Sequence, residues 1–279
     1  MKIQLENVNY IYQPGTVYER QALHDVSLQI SEGQFIALAG STGSGKSTLV
    51  QILNGLKTPT SGTVLYDGRA VENDKKALRK IRCRVGLVFQ YPEYQLFDET
   101  VLKDVTFGPK NKGLSAEAAK EKALDALQKV GLSEEVYQKS PFDLSGGEKR
   151  RAAIAGVLAM EPEILILDEP TAGLDPAGKI QILDLLSSIY KAGNTTILMV
   201  THNMDEAAEY ADRVLVMDDG RLVMDGDPHE VFADASKLQN IGLSVPQAAS
   251  ICSELGISGC ITLEEAAQAI RRRLIDCMI

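Results

Sequence analysis

Apolar positions along this chain follow two rhythms. Residues 2–6 alternate apolar and polar side chains, and residues 22–30 do so again around Leu23, Val26, Leu28 and Ile30. A period of two marks a strand with one buried face. Glu32-Gly33 then makes a turn, and residues 35–39, Phe-Ile-Ala-Leu-Ala, are apolar throughout. Three more short apolar runs lie at 85–89, 164–167 and 196–200. Strands apolar on both faces belong inside a parallel sheet that is covered on both sides. Helical spacing lies between these runs. One helix is expected to begin at Gly45. Another covers 115–130, with Ser115 placed to cap it and Gly131 placed to stop it. Strands alternating with helices predict an α/β fold with a parallel sheet.

The middle third breaks the alternation. Residues 100–159 read as mostly helical, which predicts a helical subdomain inserted between two strands of the sheet. Residues 214–217 and 222–224 read as a hairpin around Asp219-Gly220. Beyond Pro228 a helical tail follows, punctuated by Gly and Pro, with apolar spacing at Leu263, Ala266, Ala267 and Ile270 and a basic end at 271–273. It reads either as a helical cap with a solvated end or as a dimer contact.

Composition narrows the function classes. The chain has 279 residues, 38 acidic and 29 basic, for a net charge of −9. That acidic balance argues against coating nucleic acid, which favours a basic excess. A membrane-spanning helix needs about 20 mostly apolar residues, and no such stretch is expected here, nor a secretory signal at the N-terminus. Cys83, Cys252, Cys260 and Cys277 show no CxxC spacing and read as reduced thiols rather than a metal or redox site.

The chemistry begins after the first apolar run. Gly40, Ser41, Thr42, Gly43, Ser44, Gly45, Lys46 and Ser47, followed by Thr48, fit G-x-x-x-x-G-K-[ST]. A phosphate chain resting on backbone N–H groups needs residues without side chains beneath it, and the N-terminus of the next helix adds its positive dipole end. Lys46 supplies a point charge to the outer phosphates, and Ser47 a hydroxyl to Mg²⁺. The run at 164–167 ends in Asp168-Glu169. Such a pair could be a helix cap or turn. Downstream of a phosphate cradle it suits a metal-holding Asp168 and a Glu169 that activates or orients water.

Leu144-Ser-Gly-Gly-Glu148 precedes a helical run that is expected to begin near Lys149. With the cradle and the carboxylates, it resembles the signature LSGGQ of the ATP-binding-cassette ATPase family, over roughly residues 1–230. Glu148 departs from the family's glutamine. The resemblance implies a P-loop NTPase core with a mostly parallel sheet, an N-terminal antiparallel β subdomain, an inserted helical subdomain at about 91–160 and a C-terminal helical extension at 231–279. It implies ATP and Mg²⁺ as cofactors. Gln90 matches the glutamine that senses the metal and the attacking water. His202, after Thr201 at a strand end, matches the switch histidine, although a lone histidine there also reads as a polar loop residue. Tyr12 matches the aromatic that stacks on adenine, with Tyr10 as a rival. In this family two ATPase domains pair head to tail, so Ser145, Gly146 and Gly147 would meet ATP held by the partner, and Asp175, closing Ala172-Gly-Leu-Asp, would lie at the dimer interface.

The stretch after Gln90 resembles the ATPases of energy-coupling factor transporters, prokaryotic importers of vitamins and transition-metal ions. It runs Tyr91-Pro-Glu-Tyr-Gln-Leu-Phe97-Asp-Glu-Thr-Val101, then Asp104 to Pro109. The long loop at 12–22 and the helix continuation at 153–158 resemble one of the two ATPase types in those transporters. The implied partners are a second homologous ATPase, a transmembrane coupling subunit and a substrate-binding membrane subunit, with the chain peripheral on the cytoplasmic face of the cell membrane. Glu93 and Asp98, with Glu99 and Asp104, are candidates to meet basic coupling helices, or they form a solvated acidic face. The rival readings are an ATPase of another importer class and a soluble, non-transport cassette protein. The latter is disfavoured because no coiled-coil insertion or second cradle is present.

Overall fold

The computed structural model describes residues 2–71, 74–193 and 195–276. Its strands, in chain order, are β1 (Ile3–Tyr12), β2 (Arg20–Ile30), β3 (Phe35–Gly40), β4 (Ser61–Tyr66), β5 (Arg69–Ala70), β6 (Val85–Val88), β7 (Ile164–Asp168), β8 (Thr196–Val200), β9 (Arg213–Asp218) and β10 (Arg221–Gly226). Helices α1 (Lys46–Leu53) and α2 (Lys75–Arg84) lie before β6. Helices α3 (Val101–Lys112), α4 (Ala116–Lys129) and α5 (Gly146–Leu158) fill the stretch between β6 and β7. Helices α6 (Pro176–Lys191) and α7 (Met204–Tyr210) flank β8. The tail holds α8 (Pro228–Ala233), α9 (Ala235–Asn240), α10 (Gln247–Glu254) and α11 (Leu263–Asp276).

The strands form two sheets. One is antiparallel, in the order β2-β1-β4-β5. The other runs β10-β9-β3-β8-β7-β6 and is parallel except for the β9–β10 hairpin. Asp219 and Gly220 both take positive φ, 39° and 74°, which matches the right-handed twist of the flanking strands.

Burial explains the apolar runs. β3 is buried along its whole length. Ile36 and Leu38 pack with α1 and the antiparallel sheet, whereas Ala37 and Ala39 pack with α7, α8 and α9. On β7 and β8 the faces divide likewise. Ile166 and Leu198 join the α1 side, and Leu165, Leu167, Ile197 and Met199 pack against α3 to α6. The inserted helices therefore share a continuous core with the sheet.

Several local expectations change. The helix after the signature starts at Gly146, three residues before Lys149, because Ser145 caps it: its side chain accepts from Glu148 N. The tail is helical, as its apolar spacing predicts, and α11 covers Leu263–Asp276. Ala266 is buried with Ala248, Cys252 and Cys260, while Leu263 is 70% exposed and Ala267 also faces outward. Cys83, Cys252 and Cys260 are free thiols, and Cys277 lies outside the described residues. Among the described residues no helix is long and apolar enough to cross a membrane.

One close approach locks α5 to the sheet. A Cβ on Gly86 of β6 would stand 2.5 Å from Val157 Cγ1 and 3.2 Å from Pro162 Cγ. Gly86→Ala is expected to lower stability by about 1–3 kcal/mol through overpacking, read as a lower urea midpoint. An unchanged midpoint would mean that α5 moves aside freely.

Candidate functional site

The parallel strands end along one edge, and the loops that leave them build the site. The β3 loop turns through Gly40, Ser41, Thr42, Gly43, Ser44 and Gly45 into α1. Gly40 and Gly45 have positive φ, and both sit against backbone. A Cβ on Gly40 would strike the Met217 carbonyl of β9, and one on Gly45 would come 2.7 Å from the Ala22 carbonyl of β2. Lys46 Nζ folds back over the loop and donates to the carbonyls of Gly40 (2.7 Å) and Ser41 (2.9 Å). Burial lowers its pKa, against the pull of Glu169 and Asp168. Ser44 Oγ is buried without a hydrogen-bond partner among the described residues. A concave loop of backbone N–H groups at a helix N-terminus, with a cation and an unsatisfied hydroxyl, suits an anion of phosphate type.

Three other loops converge on it. Ser47 Oγ donates to Asp168 Oδ2 at 3.3 Å. Burial first, and the neighbouring Glu169 second, push the Asp168 carboxyl above its ordinary range, with Ser47 and Lys46 opposing. Ser47, Asp168 and the Gln90 carbonyl offer the hard oxygen donors that Mg²⁺ prefers, beside two carboxylates whose repulsion a cation would relieve. Gln90, following β6, donates from Nε2 to Glu169 Oε2 at 2.6 Å. His202, following β8, places Nδ1 3.5 Å from Glu169 Oε1. Glu169 itself holds φ of 50°, a left-handed backbone that is costly for a residue with a side chain.

Beside the cradle lies a cavity of about 450 Å³, lined by Tyr12, Gln13, Tyr18, Arg20, Gly43 and residues 45–48, among others. Tyr12 faces it, and its hydroxyl lies 2.9 Å from Thr48 Oγ1. Tyr10 stands edge-on behind Tyr12, with ring centroids 4.9 Å apart. Lys57 Nζ sits 4.6 Å from the Tyr12 centroid and 5.0 Å from that of Tyr10.

Other candidates lie apart from this cavity. Ser145 and Gly146 are exposed and Gly147 is half-buried at the N-terminus of α5. Glu148 closes a capping box there: the Ser145 hydroxyl and backbone N–H donate to its carboxylate at 2.7 and 2.9 Å. These bonds hold Glu148 below the usual carboxylate range. Asp175 is an exposed N-cap of α6 that accepts from Gly178 N.

The acids after Gln90 are not a free acidic face. Glu93 is half-buried and paired with Arg150. Asp104 accepts from the backbone of Phe97 and Asp98, Glu99 pairs with Lys103, and Asp98 accepts from Glu99 N. This region exposes Glu99 and aromatic rings: Tyr94, and the edge-to-face pair Phe97–Phe107.

Sequence reading missed two buried residues that brace these loops. Arg150 donates to the carbonyls of Pro170 and Ala172. Glu206 accepts from Thr171, Thr201 and Asn203. The signal for Arg150 was its position four residues before Ile154, on the inward face of α5.

The ABC transporter family model matches residues 23–172. The energy-coupling factor transporter ATP-binding protein EcfA2 of Symbiobacterium thermophilum is 53% identical over 97% of this chain and 96% of its own length. The protein of the same name from Caldanaerobacter subterraneus subsp. tengcongensis is 50% identical over 98% of each. Among solved structures, cbiO1 of Clostridium perfringens, part of the ABC transporter complex cbiONQ, superposes with a TM-score of 0.77 at 40% identity, covering 91% of this chain and 98% of that one. The dimeric post-hydrolysis state of the ATP-binding cassette MJ0796, bound to ADP and Pi, matches with a TM-score of 0.71 at 34% identity, over 81% of this chain and 98% of that one.

The two tyrosines separate in a binding test. Stacking on a base is worth about 1–3 kcal/mol, so Tyr12→Ala is expected to raise the Kd for a fluorescent ATP analogue about 5- to 150-fold. Tyr10→Ala, one ring removed from the cavity, should change it less than threefold. The reverse ranking would move the stacking role to Tyr10.

Proposed function

The chain belongs to the ABC transporter family, as an ATP-binding and ATP-hydrolysing subunit of the energy-coupling factor type, and from that premise we propose how its residues divide the work. ATP rests with adenine on Tyr12 and its phosphates on residues 40–48. Lys46 meets the outer phosphates. Ser47, Asp168 and Gln90 are the residues that would hold Mg²⁺, which neutralises phosphate charge when bound. Glu169 takes a proton from water as the water oxygen bonds to the γ-phosphorus and the bond to the β-phosphate oxygen breaks. Gln90 orients that water, and His202 supports the γ-phosphate. The observation that carries this reading is the contact set around Glu169, with Gln90 Nε2 at 2.6 Å and His202 Nδ1 at 3.5 Å from its two oxygens.

Two such ATPases pair head to tail, and Ser145, Gly146 and Gly147 of one close on ATP held by the other, with Asp175 at the interface. The loop between β1 and β2 resembles that of one of two ATPase types in such transporters, which supports a second, homologous ATPase as partner. The dimer sits on the cytoplasmic face of a prokaryotic membrane and drives a transmembrane coupling subunit and a substrate-binding subunit that import a vitamin or a transition-metal ion. Exposed Tyr94, Phe97 and Phe107 offer an apolar seat for a coupling helix, with Asp98 as the acid at its rim. Glu93, already paired, contributes less to that seat than its charge suggests.

Glu169→Gln can still accept the bond from Gln90 but cannot take a proton from water, so hydrolysis in the assembled transporter is expected to fall about 10²- to 10⁴-fold, while ATP still binds and the closed dimer accumulates on size exclusion. Turnover within threefold of wild type would remove Glu169 from this role. Glu148 places a negative charge at a helix end offered to phosphate. Glu148→Gln preserves the capping box and should tighten ATP-dependent dimerisation about two- to fivefold, the scale of about 0.3–1 kcal/mol for a charge at a helix terminus. Weaker dimerisation would show that the carboxylate contributes a contact.

A further inference from the structure

Arg150 is among the largest side chains wholly inside the protein, 1% exposed. Its guanidinium is divided between two segments. Nε and Nη2 donate to the two carboxylate oxygens of Glu93, at 3.2 and 2.8 Å. Nη1 donates to the carbonyls of Pro170 and Ala172, at 2.9 and 2.7 Å. The ring of Tyr91 lies 6.0 Å from the guanidinium carbon. A buried guanidinium persists only where its donors are met, and its rigid fork suits two partners at fixed angles.

Both segments adjoin the site. Glu93 follows Gln90 by three residues, and Pro170 directly follows Glu169. Glu169 holds φ of 50°, a conformation that needs support from its surroundings. The same loop is gripped from its other side, where the Thr171 hydroxyl donates to the buried Glu206 carboxylate at 3.0 Å. Glu206 also accepts from Thr201, the residue before His202. The loop at 170–172 is therefore clamped between two buried ionic groups.

We propose that Arg150 is a positioning residue for hydrolysis: by holding Glu93 with one edge and the Pro170 and Ala172 carbonyls with the other, it sets Glu169 against Gln90 and carries displacements of the turn at 92–95 to Glu169. The proposal rests on Glu169 as the base. It assigns Glu93 an inward role, as the near end of a rigid link.

The test uses the full-length chain in its assembled transporter, with rates taken per assembled complex. In Arg150→Lys a single ammonium cannot span both partners. The double variant Arg150→Met/Glu93→Leu replaces the ion pair with apolar bulk, which restores packing without leaving a buried charge, yet still leaves both carbonyls without their donor. Both variants are expected to lower kcat at least tenfold, with KM and the Kd of a fluorescent ATP analogue within twofold of wild type. The double variant should recover the melting temperature without recovering kcat. A kcat within twofold of wild type in either folded variant would overturn the proposal, as would a kcat that returns together with stability. Glu169→Gln runs beside them. If it turns over normally, the base assignment fails on its own. If it is silent while the Arg150 variants are active, only the positioning role fails.

Discussion

The whole site depends on the register of four parallel strands. Leu38 of β3 and Asp168 of β7 both pair with Val200 of β8, so one row of the sheet fixes three loops at once. Two residues beyond that row lie Gly40 and His202, and one residue beyond it lies Glu169. Val88 of β6 pairs with Leu167, one row back, which brings Gln90 to the same edge. Side chains from four distant stretches meet because backbone hydrogen bonds leave no freedom to slide. A slip of one residue would exchange the buried faces of a strand and send its loop elsewhere. Ligand sites outside the carboxyl ends of parallel strands follow from this geometry.

That register also explains which features the sequence displayed. Strands buried on both faces must be apolar at every position, so residues 35–39, 164–167 and 196–200 stood out. Loops that cradle phosphate need glycine at fixed spacing, so residues 40–47 did too. β4 was harder to read, because Ser61-Gly-Thr opens it and only Tyr66 is buried. α2 buries only Ile81, and six of its ten residues are basic, so its apolar face is narrow. The tail displayed its helix but not its anchor. Leu263 and Ile270 have helical spacing, yet the contact that anchors α11 is made by a small residue, Ala266, against two cysteines.

Pairwise contacts were illegible altogether. Arg150 stands out from Lys149 and Arg151 only through its spacing to Ile154 on the inward face of α5, and that spacing names no partner. Glu93 looked like a surface acid because polar Tyr94 and Gln95 follow it and further acids lie at 98, 99 and 104. In the fold its partner lies 57 residues away. The charge of −9 thus has less free carboxylate near the proposed docking seat than composition suggests, and the exposed rings of Tyr94, Phe97 and Phe107 dominate there instead.

The glycines of the cradle have a further meaning. Gly40 touches the backbone of β9, and Gly45 touches the backbone of β2 in the other sheet. The phosphate loop is therefore also the seam along which the two sheets are joined. Any side chain at these positions would wedge the seam before it met a nucleotide. Folding and phosphate recognition thus impose the same residue for separate reasons. A descendant of this chain that ceased to bind phosphate would keep the shape of the loop for as long as it kept its fold.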